Sequence, residues 1–267
     1  MRLPASYSRK SIFTSFIDFG DETTGNPLKK RIILSKNIIE TVTLHYHFSK
    51  IDFRASYWTF RYAFIIIVTI ITLSYRSIFM ENLIGKKIID FTLPAYCKGK
   101  FTTVSSQSLL GNWAVFMFYP ADFTFVCPTE LADLGKLYSE FQEIGCRVFS
   151  VSTDSEFVHK AWADASATIG SLPYEMIADK AGIFASSLGI LEPETWVALR
   201  GSFVVDPDGI IKAYEVHDNS IGRDASELLR KVQAAQFTAA HGDQVCPAKW
   251  HPGEKTLYPS IDLVGKI

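Results

Sequence analysis

From residue 88 onward the chain alternates short apolar runs with stretches of helical period. Residues 88–93 and Lys100–Val104 read as a short extended entry, and Trp113–Tyr119 is a continuous apolar run stopped by Pro120. A run of that kind is expected of a central strand buried on both faces. After a loop, Cys127-Pro128 places proline where the first helical turn tolerates it, and Leu131, Leu134, Leu137, Tyr138 and Phe141 then recur at helical spacing up to Gly145. Arg147–Thr153 is the next predicted strand, and Asp154-Ser155 caps a helix carrying Phe157, Val158, Ala161 and Trp162. Two further strands, Ser202–Asp206 and Ile210–Val216, flank the turn residues Pro207-Asp208-Gly209. A last amphipathic helix, Asp224–Ala240, carries Leu228, Leu229, Val232, Ala235 and Gln236 in its pattern. Strands alternating with helices and closed by a hairpin and a helix predict an α/β sandwich around a mixed sheet.

The first 79 residues follow neither period until Tyr62–Tyr75, fourteen residues without a charge between Arg61 and Arg76. A helix of that length rises about 21 Å, short of the roughly 30 Å hydrocarbon core of a bilayer. Two readings stay open: a short hydrophobic anchor with Tyr57, Trp58 and Tyr62 at the interface, or a mistaken start, with Met80 the true first residue. The second is the more economical, because an ordinary soluble composition begins there. The run also lies too far from Met1 for a secretory signal. Charge divides at the same place. Residues 1–79 hold eleven Lys/Arg against five Asp/Glu (+6), and the remainder sixteen against twenty-three (−7). The expected organisation is therefore a basic extension 1–79, a domain 80–240 and a C-terminal arm 241–267. The net charge of −1 over 267 residues lacks the basic footprint of a dedicated nucleic-acid binder.

Four cysteines, 97, 127, 146 and 246, include no C-x-x-C pair, which disfavours zinc ribbons and dithiol redox centres. Cys127 stands where a strand hands over to a helix. Unpaired N–H groups and the helix dipole there favour a thiolate, although the same position also suits a cysteine that merely packs. Thr124, three residues before it, can reach the sulfur or a bound oxygen; Glu130, three after it, can orient a distant arginine or cap the helix. Cys246 lies in a Gly- and Pro-rich tail, Val245-Cys246-Pro247-Ala248-Lys249-Trp250, as expected of a mobile arm. It is either a resolving thiol for Cys127 or a spare one. Cys146 opens an apolar strand and reads as a buried structural thiol, whereas Cys97 beside Lys98 and Lys100 reads as exposed and adventitiously reactive. His159 and Trp162 read as packing or surface residues rather than metal ligands, and Asp206 and Asp208 as turn residues.

The stretch Phe118–Glu130, together with Ser150–Asp154, His159–Trp162, Phe203–Gly209, Gly222–Ser226 and Val245–Trp250, closely resembles the bacterial typical 2-Cys peroxiredoxins, in particular the peroxidase subunit of alkyl hydroperoxide reductase. The resemblance spans residues 82–267 and leaves 1–79 outside. It implies a thioredoxin-like fold, a central mixed sheet flanked by helices, that reduces hydrogen peroxide and organic hydroperoxides with no metal, haem or flavin of its own. Pro120, Thr124 and Cys127 match the family's P-x-x-x-T-x-x-C pattern, which implies that Cys127 is the peroxidatic cysteine. The family's active-site arginine corresponds to Arg200, and its resolving cysteine, which acts on the other subunit of an antiparallel homodimer, to Cys246. Implied partners are a second copy, ring-shaped decamers, and a flavoprotein disulfide reductase or thioredoxin as electron donor, in the cytoplasm. Ile169–Leu172 only partly resembles the Gly-Gly-Leu-Gly insertion of easily overoxidised relatives, and the tail lacks their Tyr-Phe end, which implies resistance to overoxidation. The competing expectation on the same fold is a peroxide-sensing relay or a chaperone-like redox protein.

Overall fold

The structure is a computed structural model and describes residues 82–266; the expectations for 1–79 fall outside the described residues. The described strands are β1 (Thr92–Cys97), β2 (Lys100–Ser105), β3 (Trp113–Phe118), β4 (Cys146–Ser152), β5 (Glu175–Ala178), β6 (Leu191–Glu192), β7 (Val197–Ala198), β8 (Arg200–Val205) and β9 (Ile211–His217). Helices α1 (Cys127–Lys136), α2 (Tyr138–Glu143), α3 (Glu156–Ala165), α4 (Ala167–Gly170), α5 (Ile183–Ser187) and α6 (Ala225–Ala240) connect or follow them. Among the described residues β1–β5, β8 and β9 form a seven-stranded sheet in the order β2-β1-β5-β4-β3-β8-β9, while β6 and β7 pair separately. Strand β3 is parallel to β4 and antiparallel to β8, so the sheet is mixed and the thioredoxin-like architecture holds.

Strand β3 explains why the sheet has two covered faces. Its alternate residues enter different cores: Val115 and Met117 join Leu131, Leu134, Trp162, Leu228 and Val232, while Ala114, Phe116 and Phe118 join Phe149, Phe184, Ala185 and Phe203. A strand with both faces buried has no polar side, hence its unbroken apolar run. Helices α1, α3 and α6 cover one face and α5 the other.

Several boundaries differ from the sequence expectation for identifiable reasons. The predicted strand 88–93 begins only at Thr92, because the preceding chain bonds instead to the turn between β8 and β9: Ile88 N–H donates to the Gly209 carbonyl at 2.9 Å and Lys87 bridges Ile210. From Thr92 the strand runs on into a hairpin whose two-residue turn, Lys98-Gly99, has both φ values positive (44° and 80°). Lysine at the first of those positions hides the turn from composition. The single helix expected from Cys127 to Gly145 is two, broken at Leu137 (φ −94°, ψ 5°). Helix α3, capped by Ser155 whose hydroxyl accepts from Val158 N–H, buries His159, Trp162 and Ala163 and leaves the apolar Phe157 and Ala161 exposed. Strand β5 and helices α4 and α5 had no expectation at all.

The C-terminal arm is folded back rather than free. Trp250, 2% exposed, packs on Phe237 of α6, accepts from Arg230 Nη1 through its carbonyl at 3.2 Å, and donates from its indole to the Glu254 carbonyl. Val245 and Leu257 bridge the arm across itself. Among the described residues no helix is long and apolar enough to cross a membrane.

Since Phe116 is wholly enclosed and its ring meets Phe91, Phe149 and Phe184, Phe116→Ala is expected to lower unfolding free energy by about 3–5 kcal/mol, read from the midpoint shift of a urea melt at unchanged slope.

Candidate active site

Strand β3 delivers the chain to the edge of the core and α1 takes it back. Tyr119 N–H still donates to the Val151 carbonyl at 3.0 Å, prolonging the pairing of β3 with β4, after which Pro120 ends it. The loop that follows turns sharply at Phe123 (φ 55°) and stands out from the surface at Phe125, 92% exposed. Val126 is the N-cap of α1 and offers no side-chain cap; Cys127 and Pro128 are its first two helical residues. Proline at that place removes an N–H that a helix start leaves unpaired.

Cys127 is fully buried, with its sulfur against the core. The group that faces it is charged. Arg200, the first residue of β8 and 3% exposed, donates from Nη1 to Cys127 Sγ at 3.4 Å, although 73 positions separate the two in sequence. The guanidinium is held on two other sides: Nε donates to the Asn219 carbonyl at 2.9 Å, and Nη1 also pairs with Glu130 Oε2.

Glu130 is the hub of the cluster. One turn into α1 and 2% exposed, it receives Arg223 N–H at 2.9 Å and Arg223 Nε at 2.8 Å on Oε1, and Arg200 Nη1 and Arg223 Nη2 on Oε2. Arg223 itself, just before the N-cap Asp224 of α6, donates further from Nη1 to the Gly201 carbonyl at 2.8 Å and to Ser202 Oγ at 3.2 Å. Burial by itself would raise the carboxyl pKa, but the hydrogen bonds and charge of Arg223, with the charge of Arg200, outweigh it and hold the group below its ordinary value. Every lone-pair direction of the carboxylate is engaged, the condition under which a buried ion cluster is tolerated.

Of the residues singled out by sequence, the structure brings Cys127, Glu130 and Arg200 into direct contact. Thr124 and Pro120 lie in the same loop, half-buried. The Thr124 hydroxyl donates to the Ala121 carbonyl at 2.9 Å, which fixes the loop and leaves the oxygen lone pairs to accept. Cys246 lies apart from this cluster, on the arm, with its thiol directed at the Ala234 carbonyl of α6 at 3.9 Å; burial raises its pKa and nearby Arg230 opposes the shift. Neither cysteine is bonded in this state. Cys146 is the buried thiol expected, its pKa pushed up to about 12 by burial. Cys97 corrects the expectation of an exposed reactive thiol: it is half-buried, and burial first, then Glu175, raise its pKa against the pull of Lys98. Sequence reasoning had no role for Arg223; the signal was an arginine directly before a helix-capping aspartate, which a second oxygen of Glu130 needs as partner.

The chain has known relatives. Residues 84–214 match the AhpC/TSA family and residues 234–266 the C-terminal domain of 1-Cys peroxiredoxin. The chain is 53% identical over 186 residues to alkyl hydroperoxide reductase C of Salmonella typhimurium and 50% identical over 186 residues to that of Bacillus subtilis, in each case 70% of this chain and all of the relative. Among solved structures, AhpC of Enterococcus faecalis superposes with a TM-score of 0.61 at 54% identity, covering 62% of this chain and 100% of that one. The reduced 2-Cys peroxiredoxin of Plasmodium vivax gives 0.65 at 29% identity, covering 68% and 96%.

The lowered Glu130 pKa fixes the sign of one pH effect. The carboxylate contributes stability that is full above the ordinary glutamate value of 4.5 and is lost as pH falls through the lower folded value. Glu130→Gln is therefore expected to cost about 3–5 kcal/mol at pH 7, since it leaves two buried guanidiniums short of a counter-charge, and to flatten the acid limb of stability in melts between pH 7 and 3. In the native protein at pH 7, iodoacetamide should leave Cys146 unmodified, checked by peptide mass spectrometry, because its thiolate is suppressed by a pKa of about 12.

Proposed function

This chain belongs to the AhpC/TSA family, and from that premise we propose that it is a thiol peroxidase reducing hydrogen peroxide and organic hydroperoxides through Cys127, with Cys246 of a second subunit as resolving thiol. The observation that carries the reading is the Arg200 guanidinium 3.4 Å from the Cys127 sulfur in a buried site at the start of a helix. Two buried guanidiniums face one carboxylate, so the cluster carries an excess positive charge beside the Cys127 sulfur.

The mechanism follows from these positions. The Cys127 sulfur attacks the nearer peroxide oxygen in line with the O–O bond; that bond breaks, and its electron pair leaves on the far oxygen as hydroxide or alkoxide, which takes a proton to become water or alcohol. The sulfur keeps one oxygen as a sulfenic acid. Arg200 stabilises charge on the departing oxygen, the Thr124 oxygen can accept from a peroxide O–H, and Pro120 screens the site from bulk water. Glu130 and Arg223 touch no substrate: they hold Arg200 where it must stand.

Resolution needs a larger change. Cys127 is enclosed by the core while Cys246 rides on the arm, so the first turn of α1 must unwind before the two sulfurs can meet at bonding distance. The Cys246 thiolate then displaces hydroxide from the sulfenic acid, and an external dithiol reduces the disulfide by exchange. A flavoprotein disulfide reductase or thioredoxin fits that role, in a reducing compartment such as the cytoplasm. For the partner subunit, β9 supports an antiparallel homodimer: among the described residues it is an edge strand of the sheet, bonded on its outer side at its first residue, Ile211, to Gly85 and Lys86, and with Tyr214 and Val216 exposed further along. Dimers so formed can close into decameric rings. In this reading the activity resides in residues 80–240 and the arm 241–267 supplies the resolving thiol.

After one equivalent of peroxide, wild type is expected to run as a covalent dimer on non-reducing electrophoresis, and Cys127→Ser and Cys246→Ser to lack the Cys127–Cys246 bond. Only Cys127→Ser should fail to consume peroxide; consumption at the wild-type rate by that variant overturns the assignment. Arg200→Met should lower the second-order rate with peroxide by about 10²–10³-fold, followed by stopped-flow fluorescence.

A further inference from the structure

A second buried polar cluster lies at the other end of the active-site loop, and the mechanism above gives it no task. Asp122, its side chain 1% exposed, accepts from Tyr119 Oη on Oδ1 at 2.7 Å and pairs with His159 Nδ1 through Oδ2 at 2.8 Å, the imidazole being fully enclosed. The other ring nitrogen of His159 faces the Ile177 carbonyl of β5 at 3.3 Å. Asp122 N–H donates to Asp154 Oδ2 at 2.9 Å, and that oxygen also accepts from Ser152 Oγ. Burial first, then the charge of Asp122, raise the Tyr119 pKa well above the ordinary value, so the phenol stays a donor. One loop residue is thus tied to the end of β3, to the turn after β4, to α3 and, through His159, to β5.

Immediately after it the buried restraint gives way to a single side-chain bond, from the Thr124 hydroxyl back to the Ala121 carbonyl. Phe123 takes a positive φ of 55° and is half-exposed, and Phe125 is almost fully exposed. Restraint returns at Cys127 and at Glu130, four-fold bonded to its arginines. The loop is clamped at both ends around the segment 123–126. Trp162 lies over the junction, its ring 6.3 Å from Tyr119 and 6.0 Å from Phe123.

We propose that Asp122, held by Tyr119 and His159, is a positioning residue that confines unwinding of the active-site loop to the chain beyond it, and so sets how the Cys127 sulfenic acid divides between disulfide formation and further oxidation. The proposal rests on the peroxidase reading of the preceding subsection. Its physical basis is entropy. With the clamp intact, unwinding frees only residues from Phe123 onward; with it cut, Pro120–Asp122 join the freed segment, the unwound state gains backbone entropy, and its population rises. The unwound state is the one in which Cys246 can displace hydroxide from the sulfenic acid. The closed state is the one in which a second peroxide can add an oxygen, yielding sulfinic acid and water or alcohol.

The test uses the full chain and the variants His159→Leu, which removes the partner of Oδ2, and His159→Gln, which keeps an N–H donor for it. Reduced protein is mixed with excess hydrogen peroxide and tryptophan fluorescence is followed by stopped flow, separating the peroxide-dependent oxidation phase from the peroxide-independent disulfide phase; sulfinic acid is measured by mass spectrometry over rising peroxide. His159→Leu should accelerate the disulfide phase by about tenfold, the gain expected when the backbone of roughly one more residue is set free in the unwound state. It should raise the peroxide needed for half-maximal sulfinic acid by the same factor and slow oxidation, with His159→Gln returning towards wild type. An unchanged disulfide phase and unchanged sulfinic yield, with only a lower melting temperature, overturn the proposal by reducing the cluster to a structural one. Should His159→Leu fail to give a cooperative melt, the comparison of His159→Gln with wild type decides on the same two quantities. If wild type itself consumes no peroxide, the peroxidase reading has failed, and that is seen without any variant.

Discussion

A carboxylate buried between two guanidiniums is the constraint on which the rest of this structure turns. Glu130 belongs to α1, Arg200 to β8, and Arg223 to the approach to α6, so three elements remote in sequence are joined by one set of charge-assisted hydrogen bonds. Removing the carboxylate would leave both guanidiniums without a counter-charge in a low-dielectric interior. Because the cluster is rigid, the nitrogen that faces Cys127 is rigid as well, and preorganisation of a donor where charge develops is what catalysis of this kind requires.

The surrounding fold gives the cluster its place. Strand β3 feeds residues to both cores and ends beside β8, so the loop leading to Cys127 emerges next to the strand that begins with Arg200. The proline at the second position of α1 and the absence of a side-chain cap leave the helix start directed at the sulfur. In the proposed mechanism the same helix start comes apart during turnover, and Asp122 and Glu130 are the buried groups that bracket it in sequence.

Much of this was legible in the residues. The unbroken apolar run of β3, the Cys127-Pro128 helix start, the hairpin at Pro207–Gly209 and the capped final helix each carry a local signal, and each is where the pattern placed it, within a residue or two. The misses share a physical cause, which is that their determinants are tertiary. Strand β5 is four residues long and is specified by pairing with β4 and β1. His159 sits on the buried face of α3, where periodicity counts a polar residue as outward, because Asp122 and a carbonyl of β5 satisfy it. The arm folds back because Trp250 finds Phe237 and Arg230, which no count of glycine and proline in the tail reveals. Arg223 was visible only as part of a resembling block, since its function depends on a lone pair of Glu130 that lies 93 positions away.

That separation bears on how the molecule is made. Arg200 follows Cys127 by 73 residues and Arg223 follows Glu130 by 93, and the strand carrying Arg200 slots beside β3 only after every element between them has been synthesised. A chain still emerging from the ribosome thus carries its sulfur through 73 further residues before the arginine that faces it exists. In the proposed mechanism chemical competence waits on the docking of β8 and α6, which makes the reactivity of the finished thiol a certificate that the chain from β8 onward has folded.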